Sequence, residues 1–344
     1  MKRNRILLAS LLLAVGVFAL KLPAQALTVS PPTYDYTLNP GDTIRDTIKL
    51  YNEGTTPLTV YPEIYNFTYT EGDETSGTPS FYPADEVKNG FELGPWITTS
   101  SQPVTLQPGE RTSQDFTIAI PKNASPGSHF GSIQLKSAPS TGTGGPTVSL
   151  VGGTGILILV RINGAVDDTM AVTRFGGDKL VYTSLPIDFH TRLENRGNIH
   201  LRPTGNIFVT NLFGQQVSTM TVNGDYRTIL PKSPRRFDNT WVKHVLASNA
   251  SEFTKEWRNF AFGRYQATLV LNYGPENKVI TASYAFWVIP WMVLLIIVGG
   301  IALLVLAFVF GLKAYTKGVI RKYEKMAKKM KEELKAEAEK EAKK

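Results

Sequence analysis

Leu38-Asn39-Pro40-Gly41-Asp42-Thr43-Ile44-Arg45-Asp46-Thr47-Ile48-Lys49-Leu50 is the stretch on which the reading of this chain turns, and Leu106-Gln107-Pro108-Gly109-Glu110 opens a second version of it. Each begins with leucine, a Pro-Gly turn and an acidic residue. Each then alternates: Ile44, Ile48 and Leu50 stand among polar neighbours after the first turn, as do Phe116, Ile118 and Ile120 after the second. A side-chain period of two sends one face of a strand into a core and the other to water. Short alternating runs punctuated by Gly, Pro and Asn continue over residues 27–285, without a long amphipathic helix, which is the all-β pattern.

A second correspondence predicts two sandwiches rather than one large sheet. Tyr51-Asn52-Glu53-Gly54 and Glu194-Asn195-Arg196-Gly197 both follow an alternating strand and both precede a new apolar one, at Leu58 and Ile199. The Gly/Ser/Thr/Pro-rich residues 137–147 read as an exposed loop, because the apolar residues 156–162 beyond them still need a partner in the first domain. The boundary is therefore expected near Asp167, giving domains 27–167 and 168–285. Gly263-Arg264-Tyr265-Gln266-Ala267 resembles an immunoglobulin-like tyrosine corner, with Ala267 where antibody domains carry a cysteine. The expected fold is all-β: two tandem immunoglobulin-like β-sandwich domains, one C-terminal transmembrane helix and a helical basic tail.

Both ends are apolar. Residues 6–20 follow Lys2, Arg3 and Arg5 and lead to Pro23-Ala24-Gln25-Ala26, so residues 1–26 read as a cleaved signal peptide. Residues 286–312 carry no charge and read as the span; 23 residues from Pro290 to Leu312, at about 1.5 Å each, cover the roughly 30 Å of a bilayer core. Trp287 and Trp291 are expected at one membrane interface, with Lys313, Tyr315 and Lys317 at the other. The predicted location is the cell membrane, single-pass. Its N-terminus and both β domains are extracytoplasmic and its Lys/Glu-rich tail, residues 313–344, is cytoplasmic. The second domain ends so close to the span that it is expected to sit against the lipid.

The formal net charge is +8, but +4 of it lies in residues 1–26 and +6 in residues 313–344, leaving −2 for everything between. No nucleic-acid partner is expected for such a body. The absence of cysteine rules out disulfides, thiol catalysis and thiolate metal sites. His129, His190, His200 and His244 have no metal-ligand spacing. Ser128-His129 are adjacent on a strand and point to opposite faces, so they form no dyad. No catalytic, cofactor or metal residue is predicted, and no enzyme. The remaining candidates are aromatic: Tyr34, Tyr36, Tyr61, Tyr65 and Tyr69 crowd the first part of domain one, where exposed rings stack on sugars or anchor a protein. Lys232, Arg235, Arg236 and Trp241 read as a small basic patch on domain two.

Tyr34-Asp35-Tyr36-Thr37-Leu38-Asn39-Pro40-Gly41 followed by Leu50-Tyr51-Asn52, with Pro108-Gly109-Glu110, Ile118-Ala119-Ile120-Pro121 and residues 127–133, resembles the WxL-interacting protein family of bacterial surface proteins. The resemblance covers roughly residues 28–165. It implies peptidoglycan contact through domain one and a surface-protein or host partner for domain two. The expected function is that of a non-enzymatic, membrane-anchored envelope protein binding cell-wall material or surface proteins, with the bilayer itself as a further partner. The alternatives are a membrane-tethered chaperone lending a strand edge to surface subunits, and a signalling receptor using the cytoplasmic tail.

Overall fold

The computed structural model describes residues 27–69, 77–137 and 154–341, with side chains to Leu334. The expected signal peptide, most of the Gly/Ser/Thr/Pro-rich loop and the end of the tail lie outside the described residues.

The first ten strands are β1 (Leu27–Ser30), β2 (Thr33–Leu38), β3 (Thr43–Asn52), β4 (Leu58–Tyr69), β5 (Pro79–Pro83), β6 (Ile97–Thr99), β7 (Val104–Leu106), β8 (Arg111–Ala119), β9 (Gly127–Lys136) and β10 (Thr154–Ile162). They form two sheets, β1-β3-β8-β6 and β2-β10-β9-β4-β5, with β7 against β4. The core between them holds Ile48, Leu50, Phe116, Ile118, Ile133 and Ile158. The two Pro-Gly turns have the same geometry. Asp42 N–H donates to Asn39 O at 3.1 Å and Glu110 N–H to Gln107 O at 3.0 Å. Gly41 and Gly109 take φ of +88° and +75°, a region open to glycine at no steric cost. The strands they launch, β3 and β8, pair antiparallel from Thr43↔Ala119 to Tyr51↔Arg111.

The next eight strands are β11 (Met170–Gly176), β12 (Val181–Tyr182), β13 (Ile187–Asn195), β14 (Thr204–Asn211), β15 (Gln216–Val222), β16 (Pro234–Trp241), β17 (Gly263–Tyr273) and β18 (Lys278–Val288). They make sheets β11-β13-β16 and β12-β18-β17-β14-β15 around a separate core that includes Phe189, Trp241, Tyr265, Leu269 and Phe286. Tyr265 Oη accepts the Phe262 N–H at 3.2 Å, a bond back to the chain just upstream. The two asparagine turns use one hydrogen-bond set. Asn52 Oδ1 accepts from Gly54 N at 2.9 Å and its Nδ2 donates to Thr56 O and Leu106 O. Asn195 Oδ1 accepts from Gly197 N at 3.0 Å and its Nδ2 donates to Ile199 O and Ile229 O.

Two departures from the sequence reading concern the C-terminal third. A short helix, α1 (Glu252–Arg258), begins at Ser251, whose side chain accepts from Thr254 N–H as an N-cap. The long helix α2 runs Trp291–Glu341 without interruption and contains an 18-residue window of mean hydropathy 3.2 that is 6 % buried, long and apolar enough to cross a membrane. It does not begin at residue 286. Phe286 and Val288 are buried in the second core while Trp287 between them is exposed, so the start of the apolar run is strand, and Pro290 separates it from the helix.

Candidate functional site

The unbroken apolar run of β10 has a structural cause. Ile156, Ile158, Val160 and Ile162 point into the first core. Leu157 and Leu159 point to the other face of the sheet, where Phe67, Phe130 and Leu230 form a small cluster with Leu159. Leu230 belongs to the second sandwich, so this outer face of the first sandwich is covered by the second.

The contact is polar as well. Ser128 N–H donates to Asn198 O at 2.8 Å. Glycine at position 127 permits this approach, since its φ is +122° and an added Cβ would lie 2.7 Å from Asn198 O. Ser128 Oγ accepts from His200 N–H at 2.9 Å and lies 2.7 Å from His200 Nδ1. His200 Nε2 in turn lies 3.3 Å from Asp35, which also pairs with Arg202 Nη1 at 2.8 Å. Ser128 and His129 do occupy opposite faces, yet a serine, a histidine and an aspartate converge from three separate strands or loops. The arrangement is a clasp: Ser128 Oγ already accepts the His200 backbone N–H, and both Ser128 and His200 are buried, at 0 % and 3 % exposure. No face of the hydroxyl is open to a substrate.

Burial raises the Asp35 carboxyl, but the His200 hydrogen bond and the charges of His200, Arg202 and Arg161 outweigh it and hold the group below its ordinary value of 3.8. A lowered folded-state value adds stability above the unfolded value and loses it as pH falls through the folded one. Asp35→Asn is therefore expected to lower the unfolding midpoint at neutral pH. The gap from the parent closes as acid protonates Asp35 below 3.8. Denaturation curves over a pH series check this; a gap that persists in acid refutes it.

Beside the clasp the two sandwiches leave a cleft of about 440 Å³. Its floor is Phe67, Leu157 and Leu159, and three guanidinium groups from the second sandwich, Arg202, Arg227 and Arg235, line it opposite edge-strand residue Thr33. The arginines are held in place. Arg202 Nε donates to Thr228 Oγ1 at 2.9 Å, Arg235 Nη1 to Thr228 O at 2.6 Å, and Arg227 Nη2 to Asp225 at 3.1 Å. The Arg235 guanidinium lies 5.1 Å from the centre of the Tyr69 ring. Burial raises the Tyr69 phenol despite the nearby charges of Arg235 and Arg202. An apolar floor under fixed cations suits an extended apolar segment bearing a carboxylate.

The five tyrosines expected to form one exposed surface do not. Tyr34 and Tyr36 share the inward face of β2, since Tyr34 stands opposite core residue Ile158, whereas Tyr61, Tyr65 and Tyr69 share the outward face of β4. Tyr34 and Tyr65 are each 8 % exposed. Tyr34 Oη donates to Thr47 O, Tyr36 Oη to Asp46 and Tyr65 Oη to Glu63, each at 2.6 Å, and Lys136 Nζ donates to Tyr65 Oη. Tyr61 is half-buried, and Tyr69 reaches across to Thr228 O at 3.0 Å, so of the five only Tyr69 lines the cleft. Period two placed them on two faces: β3 of the facing sheet meets Tyr34 and Tyr36, and Glu63 and Lys136 hold Tyr65. The basic patch is likewise dispersed: Arg235 is buried, Arg236 pairs with Asp238 at 2.9 Å, and Trp241 is in the second core.

At the predicted membrane interface, Trp287 and Trp291 are 46 % and 47 % exposed at the base of the second sandwich. Lys313, Tyr315 and Lys317 follow along α2, Lys313 about 33 Å beyond Trp291 at the usual helical rise. Sequence reasoning missed Arg202 and Arg227, whose spacing carries no signal, and assigned Arg235 to the surface patch rather than to the cleft. It had one clue to the floor: Leu157 and Leu159 break the alternation that a one-sided strand needs.

No protein-family model matches the chain, and neither does any curated protein. Among solved structures, similarity is found to a class 5 fimbriae chaperone, CfaA, at 11 % identity and TM-score 0.36, over 76 % of this chain and 99 % of that one. The E. coli chaperone DraB aligns at 13 % identity and TM-score 0.33, over 76 % and 97 %. A chain from the structure of Salmonella enterica SafA pilin in complex with the SafB chaperone aligns at 8 % identity and TM-score 0.32, over 77 % and 97 %. Similarity at this level carries no argument about function.

Proposed function

We propose that this chain is a non-enzymatic, membrane-tethered protein of the cell envelope that holds an extended segment of an exported protein in the cleft between its two sandwiches, as an assembly or holding factor does. Both sandwiches are read as immunoglobulin-like and extracytoplasmic, α2 as the span, and its basic end as cytoplasmic; the resemblance to WxL-interacting proteins belongs to the same reading. The observation that carries it is the cleft itself. Phe67, Leu157 and Leu159 supply apolar contact, the partly exposed guanidinium groups of Arg202 and Arg227 reach a carboxylate beside the Asp35 and Asp225 they already pair with, buried Arg235 backs the wall, and edge strand β2 ends the sheet at its side. Wall-polymer binding through stacked tyrosines is the weaker reading, because Tyr34 and Tyr65 are buried.

The test is site-specific photo-cross-linking in intact cells, with a benzophenone residue at Tyr226, which is 69 % exposed on the cleft wall. An adduct with an exported polypeptide is expected, mapped by mass spectrometry to an apolar segment with a carboxylate, and at least tenfold weaker in Arg227→Glu. Adducts with glycan-bearing material alone, or adducts indifferent to Arg227→Glu, refute the proposal.

A further inference from the structure

The exposed apolar side chains of the second sandwich are concentrated at one end. β17 runs from Gly263, opposite Val288, to Tyr273, opposite Lys278, so its first residues lie where β18 hands over to α2. The β14–β15 hairpin brings its tip to the same end, because Asn211 pairs with Tyr265. β12 arrives there too, with Val181 opposite Trp287. The end of β16 leads through residues 242–251 into α1, and α1 is joined to α2: Glu256, 2 % exposed, accepts the Met292 and Val293 N–H groups at 2.9 and 3.1 Å. Those donors sit in the first turn of α2, which has no intrahelical acceptor for them and carries the positive end of the helix dipole. The carboxylate thus fixes α1 to the root of the long helix.

Each of these segments presents a bare apolar side chain there. Leu180 is 68 % exposed, Phe213 84 %, Val245 89 %, Trp257 59 % and Phe260 42 %. Arg258 and Arg264 stand exposed among them. The opposite end of the sandwich faces the first sandwich through His200 and Arg202.

We propose that this end of the second sandwich is a lipid-docking surface. The β14–β15 tip, residues 242–251 and the α1–β17 segment enter the headgroup and upper acyl region of the same bilayer that takes α2, with Arg258 and Arg264 among the phosphates. This rests on the reading of α2 as a span. Continuity selects the occupant: a helix fixed by Glu256 at its root brings the bilayer surface to the loops beside it, and aromatic residues with cationic neighbours suit the interfacial zone. The sandwich is then seated at several points and does not swing on a single stalk.

The chain has no cysteine, so single-cysteine variants carry a nitroxide at chosen positions without background labelling. Labels go to Phe213, Val245 and Phe260, to Val279 at the opposite end of the sandwich, and to Leu304 within α2, all exposed sites. The full chain is reconstituted in vesicles of phosphatidylethanolamine and phosphatidylglycerol, and relaxation by oxygen, which partitions into lipid, is compared with relaxation by a water-soluble nickel chelate. The expected result is a severalfold higher oxygen-to-nickel ratio at 213, 245 and 260 than at 279, with the highest ratio at 304. If 304 is in lipid while 213, 245 and 260 match 279, the docking surface is refuted and the span stands. Shielding of the three sites from both relaxers also refutes it, in favour of protein contact. A water-exposed 304 overturns the span and the docking surface together.

Discussion

Asn195→Ala should lower the stability of the second sandwich by about 3 kcal/mol. The side chain is fully buried and serves three backbone groups: it accepts from Gly197 N–H and donates to the carbonyls of Ile199 and Ile229. Alanine strips Gly197 N–H and Ile199 O of the Asn195 partner in the interior, while Ile229 O keeps the Leu201 N–H at 3.0 Å, and each unsatisfied group costs about 1–3 kcal/mol before relaxation. Asn195→Asp separates this from loss of volume, because a carboxylate accepts from Gly197 but donates to neither carbonyl. It should destabilise at least as much. Asn52, also fully buried, does the same work in the first sandwich for Gly54, Thr56 and Leu106, so Asn52→Ala should cost a similar amount there. Denaturation monitored by hydrogen exchange assigns each loss to its own sandwich. A change within about 0.5 kcal/mol, the range of ordinary surface substitutions, would refute the account.

Trp241→Ala is expected to cost about 3–5 kcal/mol, the range for large aromatics removed from a core. Trp241 is 1 % exposed, with its ring centre 5.1 Å from that of Tyr265 and 6.0 Å from that of Phe286. Removing it opens a void beside the Phe262–Tyr265 bond and the last strand before α2, so both should gain mobility. Trp241→Phe should recover much of the loss by refilling part of the volume. Trp257→Ala provides the contrast, since Trp257 lies 59 % exposed on α1 and should leave stability within about 0.5 kcal/mol. Equal effects of the two alanine substitutions in guanidinium denaturation would contradict the placement of both residues.

The turns were legible in the chain for a local reason. Pro-Gly at positions 40–41 and 108–109 needs only its own φ values and the next acidic residue to make a turn, and Asn52 and Asn195 bond to groups two and four residues on. The candidate site was not legible in the same way. Asp35, Ser128 and His200 come from three distant segments, and Arg202, Arg227 and Arg235 acquire a common role only where a second sandwich closes on the first. The tyrosines show the opposite error, for crowding in sequence told nothing of which face of β2 or β4 each ring would take or what would cover it.

Local order therefore determined the alternating strands, the two turns of each kind, the cysteine-free cores and the apolar C-terminal helix, because each depends on residues a few positions apart. Only tertiary structure decided where the strand of residues 286–288 yields to helix, which tyrosines remain exposed, and that a cleft of apolar floor and fixed arginines exists. Those outcomes are set by which surfaces become covered when sheets and sandwiches pack, and burial by a partner distant along the chain marks the sequence at most as lost alternation, as at Leu157 and Leu159, without saying what does the covering.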